Sequence, residues 1–340
     1  MHRSEESRIH VALAPRDLTD DYNRHAGVTL LSLLDNSSLP VTVHLLFDAN
    51  LPTGGRKERY NISCYQKITE KYDCKLCFHY IEVPKWVDSV PAIKKFTIGA
   101  LLRLYLPKLL PEINKIIYLD CDMVVLTDIS KLWGVELGEM SLGACPDELI
   151  SNTANIPKKL RKFYAGKDIV TEVYFNTGLI LMNLEKMREE EFTTKAFEWF
   201  SENRDIPYLD QDMFNWYYQD KYLCLDSKYN VQLHTTNVSN PRDSILHYLG
   251  AAKPWKKYNG EIDNYYWKYL MQTPWCENPE NLLRYIRDAP DVTKAIPHIQ
   301  KNFFANIEGN RKEKVSTATK FTIAIWKDFF SGLLNILKKR

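Results

Sequence analysis

Strand-like and helix-like apolar segments alternate from the start of this chain, and that alternation limits its fold more than any other feature. Ile9 to Ala14 is apolar and β-rich, Ala26 to Leu34 carries apolar residues at helical spacing after a polar loop, and Val41 to Phe47 is a second strand pattern. Strand, helix and strand within about forty residues make a βαβ unit, which demands a parallel pair and a right-handed crossover.

The alternation continues with a helix predicted around Tyr60 to Tyr72, a short strand at Phe78 to Val83, and a helix from Phe96 to Leu106 that Pro107 helps to end. Lys115 to Leu119 is an apolar β-rich run that stops abruptly at Asp120-Cys121-Asp122. Ser141 to Cys145, Gly178 to Asn183 and Ser244 to Leu249 read as further strands, and Thr193 to Glu202 and Asp210 to Gln219 as helices. This is an α/β pattern, a doubly wound, Rossmann-like domain over 1–275.

Pro274 and Asn278-Pro279-Glu280-Asn281 interrupt regular structure, and 276–340 reads as a C-terminal extension. Its last stretch, 321–340, places Phe321, Ile325, Trp326, Phe329, Phe330 and Leu333 among Lys320, Lys327, Lys338 and Arg340, a basic amphipathic helix. Such a helix lies in a membrane interface beside anionic lipid, or packs on protein; both readings stand.

Lys plus Arg (45) nearly cancel Asp plus Glu (43), so bulk charge gives no reason to expect nucleic acid as a partner. A 45% hydrophobic content excludes a largely disordered chain. Seven cysteines, an odd number with no apolar leader ahead of them, point to reduced thiols in the cytosol. Cys74 and Cys77 form a Cys-x-x-Cys pair with Cys64 upstream, but no second pair or His pair completes a zinc set, so they read as buried thiols. Uninterrupted apolar runs of about twenty residues are missing, so no transmembrane span is predicted.

Asp120 and Asp122 carry the chemistry. Side chains at i and i+2 of an extended segment share one side, so the two carboxylates converge and repel unless a cation sits between them. Oxygen ligands suit Mg²⁺ or Mn²⁺, and a site beyond the carboxyl ends of the strands would let the metal meet a pyrophosphate. The alternative is a turn with solvated carboxylates.

Arg103 stands ahead of that strand, and Tyr174-Phe175-Asn176-Thr177-Gly178, Asp210-Gln211-Asp212 and His247-Tyr248-Leu249-Gly250-Ala251-Ala252-Lys253-Pro254-Trp255 follow it in order. With Ile117 to Asp122, these motifs make residues 9 to 256 resemble glycosyltransferase family 8, which includes bacterial lipopolysaccharide glucosyl- and galactosyltransferases and glycogenin. The resemblance implies a GT-A-type nucleotide-diphospho-sugar transferase domain with a mixed, mostly parallel sheet.

The resemblance also implies site residues. Asp120, Asp122 and His247 become metal ligands, and the imidazole shifts preference from Mg²⁺ toward Mn²⁺. Lys253 and the backbone at Gly250 meet the donor diphosphate, and Arg103 holds the sugar and phosphate end. Asp147, Asn176 and Asp210 grip the donor sugar with Gly178 nearby, and Asp120 and Cys121 stand with them on the donor. The family retains anomeric configuration without a clear carboxylate nucleophile; Gln211 takes a stabilising role and Asp210 is the rival nucleophile.

One departure lies at Ala12-Leu13-Ala14-Pro15-Arg16-Asp17, where the family commonly has an Asp soon after the Ala. Ala12 would pack beside uracil and Asp17 or Tyr22 would contact base or ribose, or else Pro15 is a rigid turn without a ligand. The resulting expectation is a retaining transferase moving glucose or galactose from a UDP-sugar to a glycan or lipid-linked glycan of the cell envelope, such as lipopolysaccharide. It would act in the cytoplasm, with the tail as a route to the inner face of the membrane. A protein or glycoprotein acceptor, and a catalytically silent nucleotide-sugar or glycan-binding protein, are the alternatives.

Overall fold

A computed structural model describes residues 8–16, 22–51, 54–152, 156–219, 221–233, 241–277, 281 and 284–285. The strands are β1 (Ile9–Arg16), β2 (Val41–Asp48), β3 (Cys74–Ile81), β4 (Lys115–Leu119), β5 (Met123–Val125), β6 (Leu142–Pro146), β7 (Phe175–Asn183), β8 (Tyr222–Cys224), β9 (Val231–Gln232) and β10 (Ile245–His247). Seven of them form a sheet in the order β3-β2-β1-β4-β7-β6-β8, and β5-β10-β9 form a second one.

Strands β3, β2, β1 and β4 run parallel, as the early βαβ pattern requires. β7 is antiparallel to both β4 and β6, while β8 is parallel to β6, so the sheet is mixed and mostly parallel. β2 is buried at every position, so Thr42, His44 and Asp48 lie inside together with its five apolar residues. Ala12, Leu46, Leu101, Tyr118, Ile180 and Phe214 belong to the main core packed on this sheet.

Two expectations about elements change. The helix predicted over Phe96 to Leu106 is broken into Ile93–Phe96, Gly99–Leu102, a 3₁₀ turn Arg103–Tyr105 and Leu106–Leu109. Thr97, at φ 67°, breaks the first piece from the next, and Pro107 sits in the opening turn of the last piece. A first-turn proline loses no helical hydrogen bond, so Pro107 starts a segment instead of ending one. The strand predicted at Ser244 to Leu249 shortens to β10 and pairs in the second sheet.

That second sheet depends on the helix Asn23–Asp35. One edge of β5 pairs with β10; on the other edge, Thr29 Oγ1 donates to Met123 O (2.8 Å), Ser32 Oγ accepts from Val125 N (3.0 Å) and Asn36 Nδ2 donates to Val125 O (3.1 Å). Positions 29, 32 and 36 share one helical face, so a polar stripe replaces a missing neighbour strand and satisfies backbone groups that burial would otherwise penalise. The start of β5, and Asp122 just before it, is thereby fixed.

The described residues divide into two compact units between His247 and Tyr248. In the second, Tyr248 Oη donates to Ile262 O (3.0 Å) and the helix Asp263–Leu270 buries Tyr266 and Trp267. None of the seven cysteines is joined in a disulfide. Among the described residues no helix is long and apolar enough to cross a membrane. The basic helix expected over 321–340 lies outside the described residues.

Candidate active site

Asp120 and Asp122 occupy the short turn between β4 and β5, not an extended segment, so their convergence comes from turn geometry and not from strand alternation. Asp120 N donates to Gly178 O (2.7 Å), which prolongs the β4–β7 ladder by one residue. β10 is antiparallel to β5 with His247 opposite Met123, and this register brings the imidazole to Asp122. His247 Nε2 lies 3.2 Å from Asp122 Oδ1 and 3.7 Å from Asp120 Oδ2. One ligand atom from each of the three residues falls within 4.8 Å of the others.

The hydrogen bonds around His247 decide which nitrogen faces the carboxylates. Gly178 N, a donor by necessity, donates to Asn176 Oδ1 (3.0 Å), and Asn230 Nδ2 donates to the same oxygen (2.9 Å). Asn230 therefore turns Oδ1 toward His247 Nδ1 (2.9 Å), which must carry the proton. Nε2 is thereby the nitrogen that faces the two carboxylates, buried and without a hydrogen-bond partner. A bare imidazole nitrogen and two carboxylate oxygens fit a divalent cation of the Mn²⁺ or Mg²⁺ class.

Gly178 has a packing reason of its own. A Cβ on it would stand 2.1 Å from His247 Cε1 and 2.7 Å from Nδ1, so the ring occupies the space a side chain would need. Tyr22 also belongs here: its hydroxyl donates to Asp122 Oδ2 (3.3 Å), and burial, then Asp122, raise its pKa. Cys121 is buried between the two carboxylates, and burial, then Asp120 and Asp122, push its pKa up, so it stays a thiol.

Arg103 ties this centre to a second cluster. Nη2 donates to Asp120 Oδ1 (2.7 Å), Nε lies 3.2 Å from Asp210 Oδ2, Nη1 donates to Thr177 O, and the guanidinium stacks 3.9 Å from the Tyr118 ring centroid. Burial lowers the pKa of Arg103, and the carboxylates of Asp120 and Asp210 more than reverse this. Tyr118 Oη also donates to Asp120 Oδ1 (3.1 Å), so Oδ2 is the oxygen turned toward His247.

In that second cluster Asp147 Oδ2 accepts from Asn176 Nδ2 (3.1 Å) and Gln211 Nε2 (3.2 Å), and Gln211 Oε1 accepts from Thr177 N (3.2 Å). Both ends of the Gln211 amide are thus assigned. Leu209, at φ 46°, turns the chain so that the helix Asp210–Tyr218 begins on Asp210 and Gln211. A leucine held there costs about 1–3 kcal/mol, a strain of the kind that collects at functional sites. Burial raises Asp210 to about 7 despite Arg103, and raises Asp212 to about 6.

Most residues singled out in the sequence fall into these two linked clusters, with four exceptions. Ala12 is fully buried in the core, flanked by β2 and β4, and has no surface for a base, which corrects its expected role beside uracil. Asp17 lies outside the described residues. Gly250, at φ 54°, and Lys253, whose Nζ donates to Tyr248 O, belong to the second unit.

Sequence reasoning missed Asn230, and it gave no role to Thr177 and Tyr118 although both stand inside the motifs it singled out. Asn230 ends a 3₁₀ turn, Ser227–Asn230, with no periodicity or motif to mark it.

Known proteins resemble this chain in sequence and in fold. The model of the family described as Glycosyl transferase family 8 matches residues 16–259. The chain is 26% identical to general stress protein A of Bacillus subtilis over 75% of this chain and 92% of that protein. It is 24% identical to the lipopolysaccharide 1,2-glucosyltransferase of Escherichia coli over 83% and 81% of the two chains. The galactosyltransferase LgtC, solved with donor and acceptor sugar analogues, superposes with a TM-score of 0.66 at 19% identity over 82% of this chain and all of LgtC. That likeness fixes the fold as GT-A-type.

Proposed function

Because the chain belongs to glycosyltransferase family 8, we propose that it is a retaining hexosyltransferase moving glucose or galactose from a UDP-sugar to a cell-envelope glycan of the lipopolysaccharide kind. The observation that carries this reading is the meeting of Asp120, Asp122 and His247 Nε2, beside a polar cluster suited to a hexose. A Mn²⁺ or Mg²⁺ ion held by these three residues, with Mn²⁺ favoured by the imidazole, would supply positive charge against the departing diphosphate.

The protein's own residues do the rest. Arg103 holds Asp120 and Asp210 in place and adds a fixed positive charge at the sugar–phosphate end. Asp147, Asn176 and Asp210 read hexose hydroxyls, because a site built of fixed acceptors and donors rejects a sugar that leaves them unpaired. Lys253 neutralises diphosphate charge, and Gly250 lets backbone approach it.

Gln211, anchored by Asp147 and Thr177, stabilises positive charge developing at the anomeric carbon. Asp210 is engaged by Arg103 and Thr177, which favours same-face transfer over a covalent intermediate on Asp210. In the same-face course the acceptor hydroxyl loses its proton to the departing phosphate oxygen as the new glycosidic bond forms.

The catalytic domain is proposed to run through residue 275, with 276–340 carrying the cytoplasmic enzyme to a membrane surface. UDP release from UDP-glucose or UDP-galactose with Mn²⁺, including slow hydrolysis without acceptor, tests the activity. Release is expected with one of the two donors and is expected to vanish in Asp122→Ala; folded, metal-loaded protein that releases UDP from neither overturns the reading. Truncation before Phe321 should free the protein from anionic liposomes.

A further inference from the structure

The sequence offered no His pair to complete a set around Cys74 and Cys77 and took both thiols as buried; the fold corrects this on both counts. Neither thiol is fully buried. The parallel register of β2 and β3 sets His44 opposite Cys77 and Leu46 opposite His79, so His44, Cys77 and His79 project from one face of the sheet. One ligand atom from each lies within 4.8 Å of the others.

His44 Nδ1 is 3.0 Å from His79 Nε2, while His44 Nε2 is 3.0 Å from His10 Nδ1 on β1. The three imidazoles form a hydrogen-bonded row, edge to edge, with ring centroids 5.3 Å and 5.2 Å apart. Burial and then its two neighbours lower His44 to about 3, and burial lowers His79, so both rings are neutral at pH 7.

We propose that His44 Nδ1, Cys77 Sγ and His79 Nε2 bind a zinc ion, with water at the fourth position. Two imidazoles and a thiolate are a zinc donor set, and the soft sulfur separates it from the Mn²⁺ or Mg²⁺ class that suits Asp120 and Asp122. Tetrahedral Zn–N bonds of ~2.0–2.1 Å hold two nitrogens roughly 3.3 Å apart, close to the 3.0 Å between His44 Nδ1 and His79 Nε2.

His10 meets the opposite nitrogen of His44, so it is an outer partner and not a ligand. With its proton on Nε2, His44 donates to His10 Nδ1 and presents a bare Nδ1 to the ion, an outer hydrogen bond of the kind that orients metal-bound histidines. On binding, Cys77 gives its thiol proton to solvent and His79 carries its remaining proton on Nδ1. β3 is the outer strand of the sheet, so the ion would clip an edge strand to its neighbour.

The test uses full-length, metal-stripped protein carrying Asp122→Ala, which disables the other cluster. Zinc is titrated against a chromophoric chelator, and Co²⁺ is substituted to look for a thiolate-to-metal charge-transfer band. One equivalent of zinc, a band lost in Cys77→Ser, and affinity at least about tenfold weaker in both Cys77→Ser and His79→Asn are expected, with Cys74→Ser unchanged. Zinc should also raise Tm only where Cys77 and His79 are intact. Absence of competitive zinc binding, or binding undiminished in His79→Asn, overturns the proposal. His79→Asn alters a part-exposed side chain and decides between these outcomes if Cys77→Ser fails to fold.

Discussion

Adding one methyl group at Gly178 should disable the metal centre without touching a ligand. The Cβ of an alanine would sit 2.1 Å from His247 Cε1, whereas packed carbons rest ~3.5–4.0 Å apart, so the ring must retreat by roughly 1.5 Å. Metal–ligand bonds tolerate only about 0.2 Å, and the ring cannot slide within its plane without leaving Asn230, which holds Nδ1 at 2.9 Å. His247 is 1% exposed and has no open side to move into.

Gly178→Ala should therefore weaken Mn²⁺ binding by about 100-fold, the scale of a 1 Å misplacement in a preorganised site, and overpacking should cost about 1–3 kcal/mol of stability. Free Mn²⁺ measured by electron paramagnetic resonance during titration reads the first quantity, and urea unfolding the second. Gly134→Ala, where the nearest atom stands at 3.4 Å, is the matched control. Mn²⁺ affinity within twofold of wild type in a folded Gly178→Ala protein would refute the claim that His247 needs that space.

Asn230→Leu removes the acceptor for His247 Nδ1–H and should lower Mn²⁺ affinity about 10–100-fold, while Asn230→Asp, which keeps an acceptor, should recover part of it; calorimetric titration distinguishes the two. Arg103→Met leaves Asp120 and Asp210 facing each other without their shared cation and should cost about 3–5 kcal/mol in urea unfolding. Asp212 gives a pH signature. Its folded pKa is raised by burial to about 6, so it contributes stability at low pH that is lost as pH rises through about 6. Measured by unfolding at pH 5 and pH 7.5, the stability of wild type relative to Asp212→Asn should fall by about 1 kcal/mol at the higher pH, and a pH-independent difference would refute the assignment.

Much of the first sheet was legible in the residues alone, because buried parallel strands are rich in apolar residues: five of the eight residues of β2 and four of the five of β4 are apolar. Polar punctuation was read less well. Pro107 looked like a stop and is a start, since a proline at either end of a helical turn leaves the same mark in sequence. The short, polar turn Ser227–Asn230 left no mark at all.

The residue types at Asp120, Asp122 and His247 determined which chemistry is open to this chain, since two carboxylates and an imidazole are a donor set suited to a divalent ion. Only the pairing of β5 with β10 decided that they meet. The same division holds at His44, Cys77 and His79, which lie on two strands and become neighbours through parallel register. Sequence records the donors; strand register, set by burial over the whole sheet, brings them within reach of one ion.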